Sequence, residues 1–86
     1  MEKIWLKSYP PGIPAEIDVN EFRSLGDLFE RSVTRFADKI AYHCMGKSIT
    51  YAELDTLSAR FGAYLQSELK LPARARVALM MPNVLQ

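Results

Sequence analysis

Residues Ile40–Leu54 read IAYHCMGKSITYAEL, a stretch that contains two strand-length segments and the start of a helix. Ile40–Cys44 and Lys47–Thr50 flank Met45-Gly46, where the glycine can adopt the positive φ that a tight hairpin turn requires. Thr50 and Glu53 then have the spacing of a capping box, in which each side chain accepts from the backbone N–H of the other residue. The stretch predicts a β-hairpin whose second strand leads directly into a helix.

Helical periodicity lies on both sides of the hairpin. Ser24 and Asp27 are placed to start a helix over Leu25–Phe36, which has one apolar stripe and a solvent-exposed opposite face. The helix after Thr50 is predicted to run for four turns, with Pro72 just beyond its end. Its apolar face consists of Leu54, Leu57, Phe61, Leu65 and Leu69. The carboxylates of Asp27, Glu30 and Glu53 are all assigned to helix starts.

The segment Arg76–Met81 reads RVALMM and is apolar without alternation. Such a pattern is typical of a strand covered on both faces in a parallel sheet. Thr50–Met81 is therefore predicted to be a strand–helix–strand unit with a right-handed crossover. A central strand needs neighbours on both edges, and Asn83 resembles the N-cap of an unfinished helix. The fold class expected is α/β, as an incomplete piece of a larger domain.

Residues 1–23 show neither strand nor helix periodicity, and they predict an extended N-terminal arm. We expect Trp5 and Tyr9 to anchor this arm against its own protein. Pro11–Pro14 also fits the minimal pattern of a polyproline ligand, so a small independent α/β interaction module is kept as an alternative. Residues 24–86 form the first α/β segment of the expected domain.

The composition limits the classes of function. Eighty-six residues, of which 49% are hydrophobic and 24% charged, describe at most one globular domain. A net charge of +1 provides no excess of cations for a nucleic acid. A single cysteine, Cys44, excludes an internal disulfide, and no apolar stretch reaches the roughly 18 residues of a membrane span. A cytoplasmic location is the simplest expectation.

Several short patterns suggest chemistry, and each has a simpler interpretation. Gly46-Lys47-Ser48 matches the end of a phosphate-binding loop, but Ala41 stands where the first glycine belongs and a strand follows instead of a helix. His43 and Cys44 are neighbours on a strand and point to opposite faces, so they do not form a nucleophile and base. Met80 and Met81 are assigned to a core, and the basic residues Arg31, Arg35 and Lys39 to a solvated helix face. We expect no catalytic, cofactor-binding or metal-binding residue in the chain.

The order of these motifs resembles a known family. The turn Met45-Gly46, the stretch ITYAEL at 49–54 and the segment RVALMMPN at 76–83 resemble the adenylate-forming, AMP-binding enzyme superfamily. The arm, with Trp5-Leu6 and Tyr9-Pro10, is similar to that of bacterial long-chain fatty-acid CoA ligases. One departure is that Arg74-Ala75 stands where such enzymes usually have a Gly-Asp pair before the last strand, which alters the expected turn.

This resemblance implies a reaction in two steps. A fatty carboxylate attacks ATP to give an acyl-adenylate and pyrophosphate, and the thiol of coenzyme A then displaces AMP, with Mg²⁺ accompanying the ATP. The family's phosphate loop, its Thr-Glu segment and its C-terminal lysine have no counterpart in these residues. The resemblance therefore implies a scaffold segment, inactive alone, whose partner is the remainder of the enzyme; the acid, long-chain, medium-chain or aryl, stays open. Exposed sheet edges predict self-association, and contact of the complete enzyme with the inner membrane surface also stays open.

Overall fold

The computed structural model describes all residues from 1 to 86 and contains two helices and one antiparallel hairpin. No helix combines the length and apolarity needed to cross a bilayer. The elements are, in chain order, a 3₁₀ turn at Ile4–Ser8, helix α1 at Leu25–Phe36, strand β1 at Ile40–Cys44, strand β2 at Lys47–Thr50 and helix α2 at Tyr51–Ser67.

Helix α1 has the predicted bounds and the predicted start. The Ser24 side chain accepts from the Asp27 backbone N–H at 3.1 Å. The Asp27 carboxylate accepts from the Arg23 N–H at 3.0 Å and forms an ion pair with Arg31 at 3.1 Å, one helical turn further on. The Arg31 guanidinium also donates to the carbonyl of Glu21 at 3.1 Å. These contacts fix the chain where it enters the helix.

The hairpin is confirmed with the predicted strands and turn. Cys44 is opposite Lys47 and His43 is opposite Ser48. The two turn residues, Met45 and Gly46, have φ angles of 53° and 77°. Two consecutive left-handed residues are the signature of a type I′ turn, whose twist matches that of the flanking strands. Glycine is favoured at Gly46 for this reason, whereas Met45 bears the cost of a side chain in that region.

The N-terminus of α2 has all four of its free backbone N–H groups satisfied. Thr50 and Glu53 form the predicted capping box, with N···O distances of 2.8 and 3.1 Å. The N–H groups of Tyr51 and Ala52 donate to carbonyls of the loop Ala37–Lys39, each at 3.0 Å. The end of α1 is thereby joined to the start of α2 by main-chain hydrogen bonds.

Helix α2 ends at Ser67, two residues before Leu69, the last residue of the predicted apolar stripe. The N–H of Leu71 donates to the carbonyl of Leu65 at 3.1 Å, and Lys70 has a φ of 50°. The left-handed residue Lys70 turns the chain away from the helix axis. Leu69 lies in this ending instead of on the helix.

The elements pack loosely, and no residue is fully buried. Helix α2 contacts α1 and both strands, and the residues nearest to a core, such as Phe29, Val33 and Leu54, are half-buried. The radius of gyration is 18.0 Å, against about 12 Å for a compact domain of this length. The chain therefore holds local structure without enclosing a core.

The expectation for residues 1–23 is partly wrong. The arm contains a 3₁₀ turn instead of being extended throughout, because local bonds from Leu6 to Lys3 and from Tyr9 to Leu6 close tight turns. Trp5 and Tyr9 are exposed, and the 3₁₀ turn contacts none of the helices or strands. The arm is tied mainly to itself, through an ion pair between Lys3 and Glu16.

The buried strand predicted at Arg76–Met81 is also absent. These residues belong to no sheet, and Val77, Leu79 and Met80 are 50%, 74% and 98% exposed. The only sheet is the antiparallel hairpin, so a parallel sheet and its right-handed crossover are not observed. The physical reason is that a strand is held by ladder hydrogen bonds and by cover on its faces, and nothing in the structure supplies either to this segment.

Candidate functional site

The junction of the hairpin with α2 carries the residues that most resemble a phosphate site. Gly46 lies in the type I′ turn, and Lys47 and Ser48 lie in β2. The nearest helix start is that of α2, where every free N–H is already bonded to a protein acceptor. An anion-binding helix end needs N–H groups that point at the ligand. The geometry is that of a hairpin turn and not of a phosphate loop.

The neighbours His43 and Cys44 have separate partners. The Nδ1 atom of His43 lies 2.6 Å from the Ser48 hydroxyl across the hairpin. The Cys44 thiol donates to the carbonyl of Asn83 at 3.6 Å, a normal distance for sulfur. Cys44 is half-buried instead of fully buried as expected. The two side chains share no hydrogen bond, as the alternation of a strand predicts.

The carboxylates assigned to helix starts divide into two groups. Asp27 and Glu53 each accept backbone N–H groups at a helix start, as predicted. The assignment of Glu30 is wrong, because it lies in the second turn of α1, its side chain accepts no N–H and it forms no ion pair. No group of three or more His, Cys, Asp or Glu side chains is placed to hold a metal ion.

The largest concavity is a shallow groove of ≈ 510 Å³ between β2 and the first turns of α2. Its apolar wall is formed by Ile49, Ala52 and Leu57, and the Glu53 carboxylate at its side is engaged in the capping box. The full lining is Ser48, Ile49, Ala52, Glu53, Thr56, Leu57 and Arg60. An open groove with few free polar groups suits an apolar side chain or a polypeptide segment better than a reacting small molecule.

Sequence reasoning missed the loop Ala37–Lys39 as a capping element. It acts through its carbonyl oxygens, which every residue type possesses, so no side-chain pattern marks it. The basic residues of α1 behave largely as expected of a solvated face. Arg31 is held by Asp27 and lies 5.3 Å from the centre of the Phe22 ring, and Arg35 lies over Phe36.

The turn at the unusual Arg74-Ala75 pair has a backbone conformation that favours glycine. Arg74 has a φ of 65°, and the Ala75 N–H donates to the Pro72 carbonyl at 3.1 Å. A residue with a side chain in the left-handed region costs roughly 1 kcal/mol more than glycine does. Arg74 therefore bears a conformational cost in this turn that a glycine would not bear.

The hairpin, the capping box of α2 and the apolar segment at 76–81 are the parts of the chain in which the sequence resembles adenylate-forming enzymes. The sequence profile of the family described as AMP-binding enzyme matches residues 29–86, which is more than half of the chain. The chain belongs to this family.

Bacterial relatives match the chain from end to end. It is 50% identical to the long-chain-fatty-acid–CoA ligase of Yersinia pestis and 49% identical to that of Escherichia coli O6:H1, over 100% of its own length in both cases. Identity to the ligase of Haemophilus influenzae is 45% over the same length. The chain spans 15% of the length of each of these relatives. No solved structure matches it.

Proposed function

We propose that these residues form the N-terminal segment of a long-chain fatty-acid CoA ligase, which joins a fatty acid to coenzyme A through an acyl-adenylate at the expense of ATP. The single observation that carries the proposal is the identity of about 50% over all 86 residues to relatives that bear this name. Magnesium, ATP and coenzyme A would be used by the complete enzyme, in the cytoplasm or at the inner surface of its membrane.

Within that enzyme, we assign these residues a scaffold role and no catalytic, cofactor-binding or metal-binding residue. The polar side chains that could take part in chemistry accept backbone N–H groups at helix starts instead. Glu53 and Thr50 cap α2, and Asp27 caps α1. The proposed division places the arm at 1–23 and the α/β segment at 24–86. The alternative of an independent interaction module is less favoured, because no residue of the chain is buried.

A chimera tests the proposal. We would replace the matching segment of the Escherichia coli ligase with these 86 residues and measure the acyl-CoA formed from palmitate, ATP and coenzyme A. We expect the chimera to retain most of the activity, because half of the positions are identical and the exchanged segment holds no reacting group. The 86-residue chain alone is expected to show no palmitate-dependent pyrophosphate exchange.

The matched control is the same chimera with residues 40–54 in scrambled order, which should lose activity with its fold. A chimera that is folded by circular dichroism but forms no acyl-CoA would contradict the assignment. Exchange by the isolated chain would contradict the scaffold role. The choice of acid is measured on the complete protein that carries this segment, by comparing palmitate with medium-chain and aryl acids.

The turn at Arg74 gives a stability prediction within the chimera. Arg74→Gly is expected to stabilise it by about 0.5–1 kcal/mol, since glycine adopts a positive φ without the side-chain cost. The matched control is Ala73→Gly, at a neighbouring residue whose φ is not positive, which should destabilise by a similar amount. Chemical denaturation measures both, and a lower midpoint for Arg74→Gly than for the unsubstituted chimera would refute the prediction.

A further inference from the structure

We draw no further inference here: the strongest candidate, the exposed apolar segment Val77–Met81 together with the open groove between β2 and α2, carries none, because nothing in the structure shows what covers either surface.

Discussion

Heated in dilute solution, the 86-residue chain is expected to lose its helical signal over a broad range of temperature, without a cooperative transition. Cooperative melting needs a core that is lost all at once, and no residue of this chain is fully buried. Isolated helices of this length are marginal in water, since most helical stability in proteins comes from tertiary packing. Helices α1 and α2, of 12 and 17 residues, should therefore unravel gradually instead of in one cooperative step.

Circular dichroism at 222 nm and calorimetry measure this behaviour together. Calorimetry should show no resolved heat-absorption peak for the dilute chain, while the chimera with the Escherichia coli ligase should show one. The transition of the isolated chain should sharpen as its concentration rises, because association covers the apolar surface that the monomer leaves exposed. A sharp, concentration-independent transition would show that the chain encloses a core of its own and would contradict the description of its packing.

The parts of the fold that sequence reasoning predicted correctly are those set by near neighbours. The start of α1 depends on Ser24 and Asp27, three residues apart, and the hairpin turn depends on Met45-Gly46. The capping box of Thr50 and Glu53 is equally local. Interactions over three or four residues are written into the sequence and need no distant part of the chain.

The parts predicted wrongly depend on cover from elsewhere. The pattern at Val77–Met81 correctly indicates a preference for burial, but a strand exists only when a neighbour completes its ladder. Trp5 and Tyr9 were expected to anchor the arm, and they have no apolar surface to rest on. A pattern shows which residues favour burial and does not show whether the chain supplies the burying surface.

The candidate site shows the same division. The sequence predicted that Gly46-Lys47-Ser48 is a turn and not a phosphate loop, because the first glycine is missing. It did not predict that the carbonyls of Ala37–Lys39 occupy the N–H groups of Tyr51 and Ala52. That contact is made by main-chain atoms of two segments separated by the hairpin. Because every residue type has the same main-chain groups, the sequence does not predict it.

The capping box leads to the second large prediction, in which Thr50→Ala destabilises the start of α2 by about 0.5–2 kcal/mol. The substitution removes the oxygen that accepts from the Glu53 N–H at 3.1 Å. Because the chain has no core, tertiary packing does not compensate for the lost hydrogen bond. One kcal/mol changes a folding equilibrium roughly fivefold, so much of the helical signal from α2 should disappear.

The fraying should spread beyond α2, because Tyr51 and Ala52 also bind the loop Ala37–Lys39 that ends α1. Backbone amide exchange should therefore speed up at these two residues as well as at Glu53. Thr50→Ser, which keeps the hydroxyl, should behave nearly like the unsubstituted chain. Thr56→Ala is the matched control: its hydroxyl only donates to the Ala52 carbonyl within the helix, and alanine has the higher helix propensity, so the helical signal should rise. If Thr50→Ala and Thr56→Ala lowered the helical signal by the same amount, the capping box would not be what stabilises the start of α2.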